Sequence, residues 1–248
     1  MVIIPALVQW IYKAKEEEQM AGDIRQISVF KNNKSVVELM NKLHITTPGK
    51  GCRLHNEGDR NSNNSLIGIN LVDYSVDPSV FVSDNITPSQ LRELYYEAVL
   101  KRNDYKFNTS KIFGEPDKDG YCTTRIMRIN RQRSYVQNGK TIEKNYPWTI
   151  TVENGKGIKA INQYTGGSSI KKGTYIREKA ASAVLSDGDF FALFDKAVRF
   201  VEAWEAAYAP KFIAATIDAI AKADKEWQSR GQDGPDTGQS TESNGYSE

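Results

Sequence analysis

A chain of 248 residues that is 39% hydrophobic and 26% charged can bury a sizeable core, and its composition excludes a collagen-like, coiled-coil or wholly disordered protein. The net charge of +2 is close to neutral, so any polyanion-binding character must come from a local asymmetry rather than from the whole chain. Two cysteines, Cys52 and Cys122, give no disulfide framework, and reduced thiols in a cytoplasmic setting are expected.

Residues 2–11 are apolar, but no basic residue precedes them and no small-residue cleavage site follows, and ten residues are too few to span a bilayer. Neither a targeting signal nor a membrane partner is therefore expected. Residues 5–18 predict an amphipathic helix with Leu7, Trp10, Ile11 and Ala14 on one face. Such a stripe packs on its own domain more often than it docks on another subunit. Residues 27–30 read as a strand, residues 35–43 as a strand or one short helix, and residues 46–65 as a polar loop. Strands are expected at 66–72 and 80–82. Thr87, Pro88 and Gln90 then form a helix start with a capping box, and Leu91, Leu94, Tyr95, Ala98 and Val99 keep helical spacing to a stop near Arg102 and Asn103.

Residues 105–185 read as an antiparallel meander with turns at Asn138-Gly139, Asn154-Gly155 and Gly166-Gly167. The strands implied are 123–137, 140–153, 156–163 and 173–185. The period then changes to 3.6. Ser186 and Asp189 make a second capping box, and Phe190, Phe191, Leu193, Phe194, Ala197, Val198, Val201, Trp204 and Tyr208 form the apolar stripe of a helix over 187–209. Pro210 starts or kinks a second helix reaching about residue 227, with Phe212, Ile213, Ile217 and Ile220. Residues 231–248 carry Asp233, Asp236, Glu242 and Glu248 with no base, and are expected to form a disordered acidic tail. The fold class predicted is α+β: one domain over 1–230, with a twisted antiparallel sheet at 105–185, a long basic hairpin and a helical cover at 187–227.

The charge asymmetry lies in this sheet. Residues 121–180 hold twelve Lys or Arg against Glu143, Glu153 and Glu178, a local net charge of +9 that leaves −7 for the rest of the chain. Aromatic residues are interleaved among the cations. A two-residue turn at Asn138-Gly139 sets Gln137 opposite Lys140 and puts Arg125, Met127, Ile129, Arg131, Arg133 and Tyr135 on one face with Val152, Ile150, Trp148, Tyr146, Lys144 and Ile142. Met127, Ile129, Trp148, Ile150 and Val152 should be core. Arg131, Arg133, Tyr135, Lys144 and Tyr146 should project, since cations enter a core only with paired acids. Pro147 interrupts the ladder and invites a bulge. The projecting half is suited to a phosphate backbone with stackable bases. A solvated face balanced by acidic helices is the plainer alternative.

No catalytic motif emerges, and neither a cofactor nor a metal is expected. His44, His55, Cys52 and Asp59 lack the paired spacing of a zinc site, and Gly49-Lys50-Gly51 lacks the remainder of a phosphate loop. Asp187 and Asp189 fall in a first helical turn, where the helix dipole explains them; Asp195 completes no cluster.

The basic, aromatic hairpin Arg125–Trp148, the covering helices and the acidic Gly/Ser-rich end resemble single-stranded-DNA-binding proteins of bacteriophages and mobile elements. The alternation of sheet, Thr87 helix, sheet and Asp187 helix is also similar to Whirly-type folds. The tail departs from the common bacterial pattern by ending Gly-Tyr-Ser-Glu rather than in an acidic run with an apolar tip. The resemblance implies a non-catalytic binder of single-stranded nucleic acid, DNA in preference to RNA, acting in replication or recombination in a bacterial cytoplasm. It implies an acidic tail that meets replication or recombination proteins, and the apolar N-terminal and C-terminal helices add the expectation of a homo-oligomer. Arg125, Arg128, Arg131, Arg133, Lys140, Lys144, Lys171, Lys172 and Arg177 would hold phosphates, with Tyr135, Tyr146 and Trp148 stacking on bases. The competing expectation is a protein-interaction module, such as a phage inhibitor of a host nucleoprotein complex.

Overall fold

The computed structural model describes residues 25–44, 65–101 and 104–232. The expected helix at 5–18, the loop at 46–64, and Cys52, His55 and Asp59 lie outside these residues, as does the tail from 233 onward.

Among the described residues the architecture is α+β, with curled antiparallel sheets and two helices. The first sheet is a meander of β1 (Gln26–Lys31), β2 (Ser35–Lys42), β3 (Leu66–Asp73) and β4 (Val80–Ile86). Helix α1 (Pro88–Leu100) follows. The second sheet contains β5 (Asp104–Phe113), β6 (Tyr121–Gln132), β9 (Trp148–Ile161) and β11 (Ile176–Leu185), and β10 (Ser168–Ile170) shares the outer edge of β9 with β11. Between β6 and β9 stands a separate two-stranded ladder of β7 (Ser134–Gln137) and β8 (Lys140–Glu143). Helix α2 (Asp187–Gln232) ends the described chain.

The capping chemistry sets both helix starts as expected. Thr87 accepts the Gln90 amide while the Gln90 side chain accepts the Thr87 amide, with Pro88 at the first turn. Ser186 and Asp189 repeat this exchange at α2. Residues 35–42, open to two readings in sequence, form a strand because Val37, Leu39, Ile67, Ile69 and Leu71 can then share one core. Pro210 does not divide the last helix: α2, 46 residues in all, runs through it. Pro210 and Ala206 are both exposed, so water can satisfy the Ala206 carbonyl, which lacks its amide partner there.

Asn138 and Gly139 both take positive φ, 52° and 72°, so the predicted tight turn is present and Gln137 pairs with Lys140. The ladder does not run on in that register. Between β6 and β9 the partners are Met127 with Val152, Ile129 with Ile150 and Arg131 with Trp148. Residues 144–147, with buried Pro147, absorb a two-residue offset. Because two residues preserve the side-chain parity, Met127, Ile129, Trp148, Ile150 and Val152 still share the buried face. Asn154-Gly155 is not a turn; both residues lie inside β9. A Cβ at Gly155 would come within 2.2 Å of the Ile176 carbonyl oxygen, so the glycine admits a neighbouring backbone rather than reversing the chain.

One contiguous core joins both sheets and both helices. Trp148 stacks on Phe190 with centroids 3.7 Å apart and planes 6° from parallel, and Phe190 stacks on Phe194 at 4.3 Å. Burying each of these side chains is worth about 1.5–3 kcal/mol or more against exposure.

The second sheet buries opposite faces at its two ends. Along β6 the fully buried positions are odd over Met127–Arg131 and even at Cys122 and Thr124; β9 changes from even at Trp148–Val152 to odd at Glu153, Gly155 and Gly157. At one end the inner face meets α2 and the first sheet. At the other end the opposite face is covered by Ile170 and Tyr175, which approach Gly157 and Gly155. The inner face therefore emerges into solvent from residue 125 downward.

Candidate nucleic-acid interface

The predicted site residues separate into groups. Arg131 and Trp148 are 4% and 1% exposed: Trp148 takes the core place expected of it, which corrects its expected role of stacking on bases, and Arg131 is buried where it was expected to project. Arg131 makes a two-pronged contact with Asp187, through Nε and Nη2 at 2.9 Å each, and Nη1 donates to the Lys101 carbonyl at 3.2 Å. Trp148 Nε1 donates to the same Asp187 carboxylate at 2.8 Å. The required acid was present in sequence, but 56 residues away. Hydrogen bonds from Arg131, then from Trp148, hold the Asp187 carboxyl below its ordinary range against the opposing effect of burial.

Arg128 is paired. Its Nη1 lies 2.5 Å from Glu153, whose other oxygen accepts the Tyr175 hydroxyl at 3.0 Å. Burial and that hydrogen bond push the Tyr175 phenol up to about 12. Arg133 meets Glu143 at 3.1 Å across the base of the β7–β8 ladder, in the open. A cleft of about 430 Å³ lies here, lined by Asp104, Gln132, Arg133, Ser134 and Glu143. Further out, Lys140 is exposed, Tyr146 is exposed, and Lys144 donates to Gln132 at 2.6 Å while lying 5.9 Å from the Tyr135 ring centre. Lys171 and Lys172 are exposed in the connection from β10 to β11, and Arg177 is exposed on β11.

Arg125 leads to a surface that sequence reasoning missed. The registers align Lys111, Arg125, Asn154 and Lys179 in one row across β5, β6, β9 and β11. The next row on the same face holds Phe113, Thr123, Lys156 and Ile176. These rows continue the inner face beyond the core, where it meets solvent. Arg125 lies over the Phe113 ring at 5.1 Å and Lys156 over the Tyr121 ring at 5.2 Å.

The first sheet adds Lys42. Its Nζ donates to Asn85 Oδ1 at 2.8 Å, and Lys111 Nζ reaches the backbone carbonyl of that same Asn85. Lys111 also pairs with Asp84 at 2.8 Å. Asp84 is buried and its oxygens are further occupied by Thr109 and the Asn85 amide. The Lys42 ammonium is pushed below its ordinary range, first by burial and then by Arg125, Arg25 and Lys111, with Asp84 opposing. Among the described residues Arg125, Lys156 and Lys179 form no salt bridge, so a crowded cationic patch with aromatic rings beside it can accept phosphates there.

Among the described residues, no group of three His, Cys, Asp or Glu could hold a metal ion, and no helix is long and apolar enough to cross a membrane. No family, curated protein or solved structure matches the chain.

Proposed function

We propose that this protein binds single-stranded nucleic acid, with DNA as the favoured form, and that the exposed end of the second sheet is the principal contact. The observation that carries this reading is the cationic row of Lys111, Arg125 and Lys179, flanked by Lys42, Lys156, Phe113 and Tyr121. Asp84, the acid that pairs with Lys111, is buried and already bonded. Nucleic-acid phosphates supply the countercharge, and the rings offer faces to unstacked bases once the cations above them move to phosphate. The β7–β8 ladder, with Lys140, Lys144, Tyr135 and Tyr146, is the second contact of a basic arm. Action in phage or mobile-element replication or recombination, without catalysis, is the biological setting that suits this chemistry.

The test is a salt titration of labelled oligo-dT binding. The Arg125→Ala, Lys156→Ala, Lys179→Ala variant spares the Asp84–Lys111 pair and should stay folded. With about 0.7 of log–log salt slope per phosphate contact on a single strand, its slope should be shallower by about 2 and its affinity clearly lower. Wild-type slope and affinity in a folded variant would refute the interface. A protein-interaction module would show no preference for single strand over duplex and no growth of affinity with oligonucleotide length.

A further inference from the structure

Helix α2 is about 69 Å long, and only its first half is used by the fold. Phe190, Leu193, Phe194, Ala197, Val198 and Val201 enter the core, and Glu205 takes the salt bridge from Arg92 of α1 at 2.5 Å. Beyond this point Ile213, Ile217, Ile220 and Trp227 are 59%, 60%, 56% and 78% exposed. At 100° per residue these four lie on one stripe, about 120° round the helix from the face that docks in the core. The stripe is therefore not a continuation of the core face, and it is turned away from the sheet that its own helix covers.

We propose that the distal half of α2 is a self-association surface, occupied by the same segment of a second copy of this chain. The side chains recur at intervals of four, three and seven residues, which is the seam spacing of paired helices rather than the broader stripe of a helix lying on a sheet. Exposed Ala214, Ala221 and Ala223 flank the seam and permit close approach of a second helix. Three isoleucines and a tryptophan present roughly 400–500 Å² of apolar surface, at the upper end of what a monomer leaves uncovered. With the flanking alanines this approaches the roughly 800 Å² per partner of a stable interface. Lys211, Lys222, Lys225 and Arg230 face Asp218, Asp224 and Glu226 in number, so two copies of the segment do not repel. A parallel pair would set two Asp224 carboxylates side by side in the seam, so the antiparallel orientation is the one that avoids like charges.

The experiment is sedimentation velocity on the full chain, free of nucleic acid, from low to high micromolar concentration. The wild type should sediment at two or more times 27.9 kDa. The Ile213→Ala, Ile217→Ala, Ile220→Ala variant keeps helix-forming residues, so its far-UV spectrum should match the wild type while its mass falls to that of one chain. A monomeric wild type overturns the proposal, as does a variant that still associates. Loss of association on removing residues 1–24, with the alanine variant unaffected, overturns it in favour of the N-terminal segment as the contact. None of these outcomes depends on nucleic-acid binding.

Discussion

Replacing Asp187 by alanine is the sharpest test of how the second sheet and α2 are joined. The carboxylate serves three donors: two from Arg131 and one from Trp148, all at 2.8–2.9 Å. Its loss takes two hydrogen bonds from a guanidinium that is 4% exposed, while the bond to the Lys101 carbonyl stays among those that it keeps. Breaking a buried pair by removing one member costs about 3–5 kcal/mol. The Asp187 side chain is 32% exposed, so water can reach the vacated place and the lower end, about 3 kcal/mol, is expected. Arg131→Met removes the buried charge together with its demand for a partner, and should cost only about 1–2 kcal/mol. Adding Arg131→Met to Asp187→Ala should therefore recover stability, a non-additivity of about 1–3 kcal/mol. Urea unfolding followed by circular dichroism measures all three, with single-strand affinity of the folded Arg131→Met variant expected to equal the wild type. The reasoning fails if Asp187→Ala costs under about 1 kcal/mol, or if Arg131→Met costs more than it does. The pH dependence has a definite sign. A carboxyl whose folded pKa is depressed stabilises above its ordinary value of 3.8, and that stabilisation is lost as pH falls through the lower folded value. The difference between wild type and Asp187→Ala should shrink in acid.

Two further outcomes follow from close contacts in the second sheet. Gly155→Ala should lower stability by about 1–3 kcal/mol or more in the same urea assay, because its Cβ meets backbone at 2.2 Å rather than a movable side-chain end; a variant as stable as wild type would contradict the close approach. Tyr175, raised to about 12 by burial and by Glu153, should titrate late in the 295 nm absorbance, and Tyr175→Phe should delete that late step. Its contribution to stability is complete below the ordinary value of 10 and is lost as pH rises toward 12.

Local chemistry was legible in the sequence where it is complete within a few residues. The Thr87 and Ser186 caps, the Asn138-Gly139 turn and the alternation that buries Met127, Ile129, Ile150 and Val152 are of this kind. Asn154-Gly155 misled because the same dipeptide serves a tight turn and a close backbone crossing, and only the position of Ile176 decides between them. Arg131 reads as exposed in sequence because its acid comes from a helix 56 residues on. The cationic row was hidden for a related reason: Lys111, Arg125 and Lys179 become neighbours only when three strand registers are known together. Lys42 joins them from a different sheet.

The change of buried face halfway along the second sheet constrains more than packing. Sliding β9 by a single residue would turn Trp148, Ile150 and Val152 into water at one end and, at the other, carry side chains into the places where Gly155 and Gly157 admit Ile176 and Ile170. The strands are thus pinned twice, as a ruler is by a nail at either end. The spacing of the charges is fixed by residues that carry none, so side chains in the row can be exchanged for others while the distances between their anchoring backbones stay put.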